Sequence, residues 1–236
     1  MSDERVLRIL AHLSDDGGDP GTARLCVVCA EVTNMSGAGI MLMAGSEPRG
    51  SVCTTNDVSA QIEQLQYTLG EGPCIDAHSM QRPVMEPDLA DPATPRWLAF
   101  SPPALAAGAR AVFGFPLRVG AVRLGARNLY RDRPGVFSDE QHADALVMAN
   151  VAARAVLGMQ GDTPLGTLAA ELDAGGDFQL VVHQATGMVA AQLDVSVGEA
   201  LSQVRAHAFA NNLMLVDVAE SLVNRRLRFD PEDEHQ

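Results

Sequence analysis

Two strand-length apolar runs, at 111–119 and 121–130, are separated by Gly120 alone. Strands joined by so short a connection lie antiparallel, since a parallel pair needs a crossover of a dozen or more residues. A second strand pair is read at 40–44 and 51–55, with the Gly45-Ser-Glu-Pro-Arg-Gly50 stretch between them as a hairpin loop. Around these pairs the period changes to helical. Val6, Leu10 and Leu13 share one face of a segment at 3–13, which the Asp- and Gly-rich stretch at 15–20 breaks. Leu25, Cys26, Cys29 and Val32 share a face at 22–33, and 58–69 reads as a third helix. Ser138 followed by Gln141 forms a capping box that opens a helix with Leu146, Ala149, Ala153 and Val156 on one stripe. The order is helix, helix, strand pair, helix, loop, strand pair, helix, which is an α+β domain with an antiparallel sheet.

From Met159 the pattern turns all-helical. Thr163-Pro164 suits a helix start and Gly175-Gly176 a stop, so 159–177 is expected to be a helical linker. Three helices follow, at 178–193, from Ser196 with Glu199 completing a second capping box, and at 215–227. The expected organisation is therefore a sensor-sized domain at 1–158, the linker, a three-helix unit at 178–229, and an acidic tail at 230–236. So small a unit buries little on its own. Its run Leu213-Met-Leu-Val216 is therefore expected to dock against the first domain or a second chain.

Composition excludes several classes. The net charge is −13 and every basic residue is arginine, so any contact with nucleic acid needs a local patch. No run reaches the 18 or so apolar residues of a membrane span, and the first residues do not form a secretory signal. The chain is thus expected in the cytoplasm, away from membranes, with Cys26, Cys29, Cys53 and Cys74 as reduced thiols. Cys26-Val-Val-Cys29 has the spacing of redox and zinc motifs, yet it lies on an apolar helix and lacks a second ligand pair. No phosphate-binding loop, serine elbow or histidine cluster is present, so neither catalysis nor a metal site is expected.

The motifs Leu69-Gly-Glu-Gly-Pro-Cys-Ile-Asp-Ala77, Phe115-Pro-Leu-Arg-Val119 and Gly125-Ala-Arg-Asn-Leu-Tyr130, then Phe137-Ser-Asp-Glu140, resemble GAF domains. Ala185-Thr-Gly-Met188, Glu199-Ala-Leu201, Val204-Arg-Ala-His-Ala208 and Leu215-Val-Asp-Val-Ala219 resemble the ANTAR domain. The resemblance implies an α+β GAF-like sensor followed by a three-helix ANTAR-like bundle. It further implies a homodimeric transcription antitermination regulator that binds RNA hairpins and is gated by a small molecule or a protein partner, with no cofactor specified.

On that reading Met41 and Met43 line an adaptable ligand cavity, with core filling as the alternative. Cys74, at a helix start where backbone N–H groups can stabilise a thiolate, is assigned with Asp76 and His78 to the same cavity, with a packed loop cysteine and surface residues of the same turn as the alternatives. Trp97 sits in a long irregular excursion, and Phe113 and Phe115 share one side of a strand. RNA contact falls to Thr186, Gly187, Arg205 and Asn212, and to Arg225, Arg226 and Arg228 at the end of the third helix. Between Gly161 and the end there are 4 Arg against 12 Asp plus Glu, so phosphate contact rests on these arginines converging. Two alternatives stand beside this reading: a protein-interaction module that has lost RNA binding, and a redox sensor or enzyme built on Cys74.

Overall fold

The computed structural model describes residues 2–14, 22–91, 96–161, 177–211 and 213–229. The expected linker helix and acidic tail fall largely or wholly outside these residues. The chain divides into two compact units, Met1–Leu168 and Ala169–Gln236.

The first unit runs α1 (Ser2–Ser14), α2 (Thr22–Thr33), β1 (Gly37–Ala44), β2 (Glu47–Thr54), α3 (Asp57–Leu69), α4 (Pro73–Met80), β3 (Val84–Glu86), α5 (Ser101–Ala106), β4 (Ala111–Val119), β5 (Val122–Arg131) and α6 (Asp139–Gly161). The strands form one sheet in the order β2-β1-β5-β4-β3, antiparallel at every junction. The loop expected at 45–50 is shorter: the chain turns at Gly45-Ser46 and is already in β2 at Glu47. Pro48 is tolerated because β2 is an edge strand, and two register shifts against β1 absorb the irregular pairing. The excursion at 87–103 is flanked by the short strand β3 and contains the start of α5, neither of which has a periodic signature long enough to read.

Each face of the sheet is covered. Helices α2 and α6 pack on one face, with α1 lying against both, and α3 and α4 pack on the other. Arg5 and Arg8 of α1 both reach Asp144 of α6, at 2.6 and 2.7 Å, and bind α1 in place. Cys26 of α2 is joined to Cys53 of β2 by a disulfide, correcting the expectation of four reduced thiols; Cys29 and Cys74 remain free and buried. The capping box expected at Ser138 is present, with Ser138 and Gln141 exchanging both bonds.

Pairing register fixes which side chains share a face, because opposed residues in an antiparallel ladder point the same way. Ile40, Arg127 and Phe115 are in register, and Phe115 packs near Phe137 and His142 at α6, so this row faces α2 and α6. Gly39, Asn128 and Gly114 form the adjacent row and face α3 and α4. There α4 comes so close that a Cβ on Gly114 would stand 2.1 Å from the Pro73 carbonyl oxygen, so only glycine seats the helix.

The second unit contains α7 (Asp177–Leu193), α8 (Val197–Ala210) and α9 (Leu215–Val223), packed pairwise. Val182, Ala185, Val189, Ala200, Val204, Val218 and Leu222 form its small core, at helical spacing on each element. Ser196 and Glu199 make the expected capping box. The third helix stops at Val223, short of the expected end at Leu227. Arg225 there adopts a left-handed φ of 57°, and the N–H groups of Arg226 and Leu227 fold back onto the Ser221 carbonyl. Leu215 is buried, whereas Leu213 and Met214 are exposed on this unit, as is Phe209.

Candidate functional site

Helix α3 presents Ser59, Ile62, Glu63, Gln66 and Tyr67 inward. These positions recur at three- and four-residue intervals, the stripe that covers a sheet. Two of the five, Glu63 and Gln66, are long polar side chains of the kind that seldom lie inside unless paired. Glu63 is 3% exposed, and Gln66 and Asn128 are fully buried.

Their partners account for only part of their hydrogen-bonding capacity. The Asn128 amide Nδ2 donates to Glu63 Oε1. The Gln66 side-chain oxygen accepts the Cys74 backbone N–H at 2.6 Å, which ties α4 to α3. Glu63 Oε2, Gln66 Nε2 and Asn128 Oδ1 are buried with no hydrogen-bond partner among the described residues. A Cβ on Gly39 would stand 2.5 Å from Glu63 Oε1, so the bare backbone of β1 is what leaves room for this carboxyl. Burial pushes the Glu63 carboxyl up to about 8, the bond from Asn128 offsetting only part of that, so it is protonated at neutral pH.

Around this layer the residues expected to bind ligand are distributed as follows. Met41 lies on the same face as Gly39, two residues along β1, and is buried; Met43 follows it and is also buried. Cys74 is fully buried, and burial together with the nearby Glu63 pushes its thiol well above its ordinary value. Desolvation thus outweighs any pull of the helix start toward a thiolate. His78 spans two backbone carbonyls, Gly45 at 2.8 Å from Nε2 and Gly125 at 3.2 Å from Nδ1, so it clasps the β1–β2 turn to β5.

Asp76 Oδ2 accepts from Trp97 Nε1 and Arg96 Nε, both at 3.1 Å, with the Arg96 guanidinium over the indole ring. Glu71 Oε1 accepts the N–H groups of Ala99 and Phe100 at 2.7 Å each. Asp76 and Glu71 therefore pin the 96–100 segment to the α3–α4 corner, and Trp97 is buried there against Phe100. Phe113 and Phe115 do share one side of β4, but it is the α6 side, against Phe137. Period-two alternation pairs them without telling which face of the sheet they meet.

That opposite face holds a second unusual group. Arg127 is fully buried, donates from Nη2 to the Ala145 carbonyl at 2.8 Å and stacks on Phe115. Burial pulls its guanidinium below its ordinary value, and burial likewise raises the neighbouring Cys29 thiol, with Arg127 drawing that thiol back down.

In the second unit Thr186 is buried and its hydroxyl donates to the Val182 carbonyl one turn back, so it is turned away from any surface. Gly187, Arg225, Arg226 and Arg228 are exposed, Arg205 is half-buried, and Asn212 lies outside the described residues. Among the described residues no group of three or more His, Cys, Asp or Glu is placed to hold a metal, and no helix is long and apolar enough to cross a membrane.

No protein-family model and no curated protein matches the chain. Solved structures do. The chain is similar to the GAF domain of a phosphoenolpyruvate-protein phosphotransferase from Coxiella burnetii, with TM-score 0.52 and 16% identity over 67% of this chain and 96% of that one. It is also similar to the GAF domain of such a phosphotransferase from Acinetobacter, with TM-score 0.50 and 12% identity over 69% and 98%. The first unit has the fold of a GAF domain.

Proposed function

We propose that this chain is a two-part regulator, in which the GAF-fold unit senses a small molecule and the three-helix unit acts as an ANTAR-like, RNA-binding output. The observation that carries the sensing half is the layer between the sheet and α3–α4, where three buried polar atoms have no partner among the described residues. A folded protein leaves few such atoms without water or a ligand to pair them. The segment clasped by Asp76 and Glu71 lies at the corner of α3 and α4, the two helices that cover this layer.

For the output half, support comes from the motif order along α7–α9 and from Arg225, Arg226 and Arg228, exposed together just beyond α9. In so acidic a unit they are the cations on which phosphate contact rests. The test is fluorescence anisotropy of a twin-hairpin RNA with short apical loops, titrated with the full chain and with an Arg225→Ala/Arg226→Ala variant. RNA binding that falls steeply with salt and weakens in the variant is expected. No binding at tens of micromolar by the folded protein sinks the RNA reading.

A second reading has its own observation. Phe209, Leu213 and Met214 are exposed apolar side chains on this unit, which suits a protein partner in place of RNA. Covalent chemistry at Cys74 is the reading the structure favours least, because the thiol is buried and held protonated.

A further inference from the structure

We propose that the Glu63–Gln66–Asn128 layer is a binding site for a neutral carboxamide group. The inference rests on the sensing role of the first unit and specifies the chemistry of its ligand. Three observations define what the site asks for. Gln66 Nε2 is a donor without an acceptor, and Asn128 Oδ1 is an acceptor without a donor. Glu63 Oε2 is the third free atom, and its carboxyl carries a proton at neutral pH because burial disfavours the ionised form. The protein therefore offers two donors and one acceptor, all buried, on α3 and on β5 of the sheet face that α3 covers.

A carboxamide is the complement of that set. Its carbonyl oxygen has two lone pairs, enough to accept from Gln66 Nε2 and from the Glu63 hydroxyl together. Its N–H donates to Asn128 Oδ1. The geometry of the protein ties the three groups to one place. Asn128 is bonded to Glu63, Gln66 is one helical turn from Glu63, and Gln66 also anchors the start of α4.

A charged ligand fits less well. A carboxylate offers acceptors only, which leaves Asn128 Oδ1 unpaired, and it brings an anion beside a carboxyl already hard to ionise. An ammonium offers donors only, which leaves Gln66 Nε2 unpaired. The neighbouring cation, Arg127, lies in the row of the sheet that faces α2 and α6, where it bonds Ala145 and stacks on Phe115. Buried polar groups left unpaired are costly, so a mismatch at any of the three atoms discriminates strongly.

The test keeps the protein unchanged and varies the probe. Propionamide and N,N-dimethylformamide are isomers of equal composition, but only propionamide has N–H donors. With the full chain labelled with nitrogen-15, each is titrated while the side-chain amide resonances of Gln66 and Asn128 are followed, with methylammonium and acetate as charged controls. Propionamide is expected to shift both resonances saturably and to bind roughly tenfold more tightly than its isomer, the worth of one buried hydrogen bond. The charged probes are expected to leave them in place. Equal affinity for the two isomers, a response to the charged probes as strong as to propionamide, or no response to any probe overturns the proposal. A ligand that shifts other residues of the first unit while Gln66 and Asn128 stay still also overturns it, yet leaves the sensing role standing; the two failures are thereby told apart.

Discussion

Replacing Glu63 by Gln should remove a pH dependence that the wild-type fold carries. The folded carboxyl sits at about 8 against an ordinary value of 4.5. Between those values the unfolded chain has released its proton while the folded chain still holds it, so the native state binds more protons and stability falls as pH rises. The contribution is fully present below 4.5 and is lost by the time pH passes 8. A tenfold change in proton affinity between the two states corresponds to about 1.36 kcal/mol, so the whole interval is worth about 5 kcal/mol as an upper bound, with relaxation and water entry reducing it. The substituted glutamine keeps an oxygen to accept from Asn128 and never ionises. Urea denaturation followed by circular dichroism at pH 5, 6, 7 and 8 is the assay. The wild type should weaken relative to Glu63→Gln by about 3 kcal/mol between pH 5 and pH 8. The Glu86 carboxyl is also raised, chiefly by burial, but both proteins share it, so it cancels in the difference. Parallel stability curves would refute the reasoning, because they would mean the Glu63 carboxyl titrates alike in both states.

The disulfide between Cys26 and Cys53 closes a loop of 27 residues. Changing both to Ala should cost about 3.5 kcal/mol on loop-entropy grounds, read as a lower urea midpoint; an unchanged midpoint refutes the cross-link. Cys29 and Cys74 are both buried with raised thiol values, so iodoacetamide at pH 8 should label neither until the chain is unfolded, as mass spectrometry would show. Rapid labelling of Cys74 in the native protein would return it to consideration as a reactive group. Arg225 occupies a left-handed position that glycine adopts freely, so Arg225→Gly should stabilise the second unit by about 1 kcal/mol while weakening RNA binding. A variant that loses stability would show that the arginine side chain, and not the backbone, governs that turn.

Much of the framework is legible in the sequence because it rests on local signals. The capping boxes at Ser138–Gln141 and Ser196–Glu199 open helices where the sequence places them, and the β4–β5 hairpin turns where Gly120 stands. What the sequence hides depends on contacts far apart in the chain. Strand β2 begins earlier than expected because an edge position accommodates Pro48, and nothing local marks which strand is the edge. The expectation for Cys26 and Cys53 rests on the expected compartment, whereas their pairing follows from the packing of α2 across β2. Of the candidate ligand residues, Cys74, Asp76, His78 and Trp97 gather at α4 and its clasped segment, while Phe113 and Phe115 lie on the opposite face. Glu63 and Gln66 escape a reading of the sequence because polar residues on an amphipathic helix ordinarily face water, and Asn128 because alternation along β5 does not tell what covers each face. One signal is available: Glu63 and Gln66 fall on the same stripe as Ile62 and Tyr67, the apolar side of α3. The motif places Thr186 at a surface, but its position on α7 coincides with the buried stripe of Val182, Ala185 and Val189.

The central claim is that the layer beneath α3 and α4 holds polar atoms awaiting a partner from outside the protein. A crystal structure of the full chain, at a resolution that shows ordered water, tests it most directly. The account predicts non-protein density within hydrogen-bonding distance of Glu63 Oε2, Gln66 Nε2 and Asn128 Oδ1. Side chains turned so that all three atoms are paired within the protein, with no such density between α3 and β5, would contradict it.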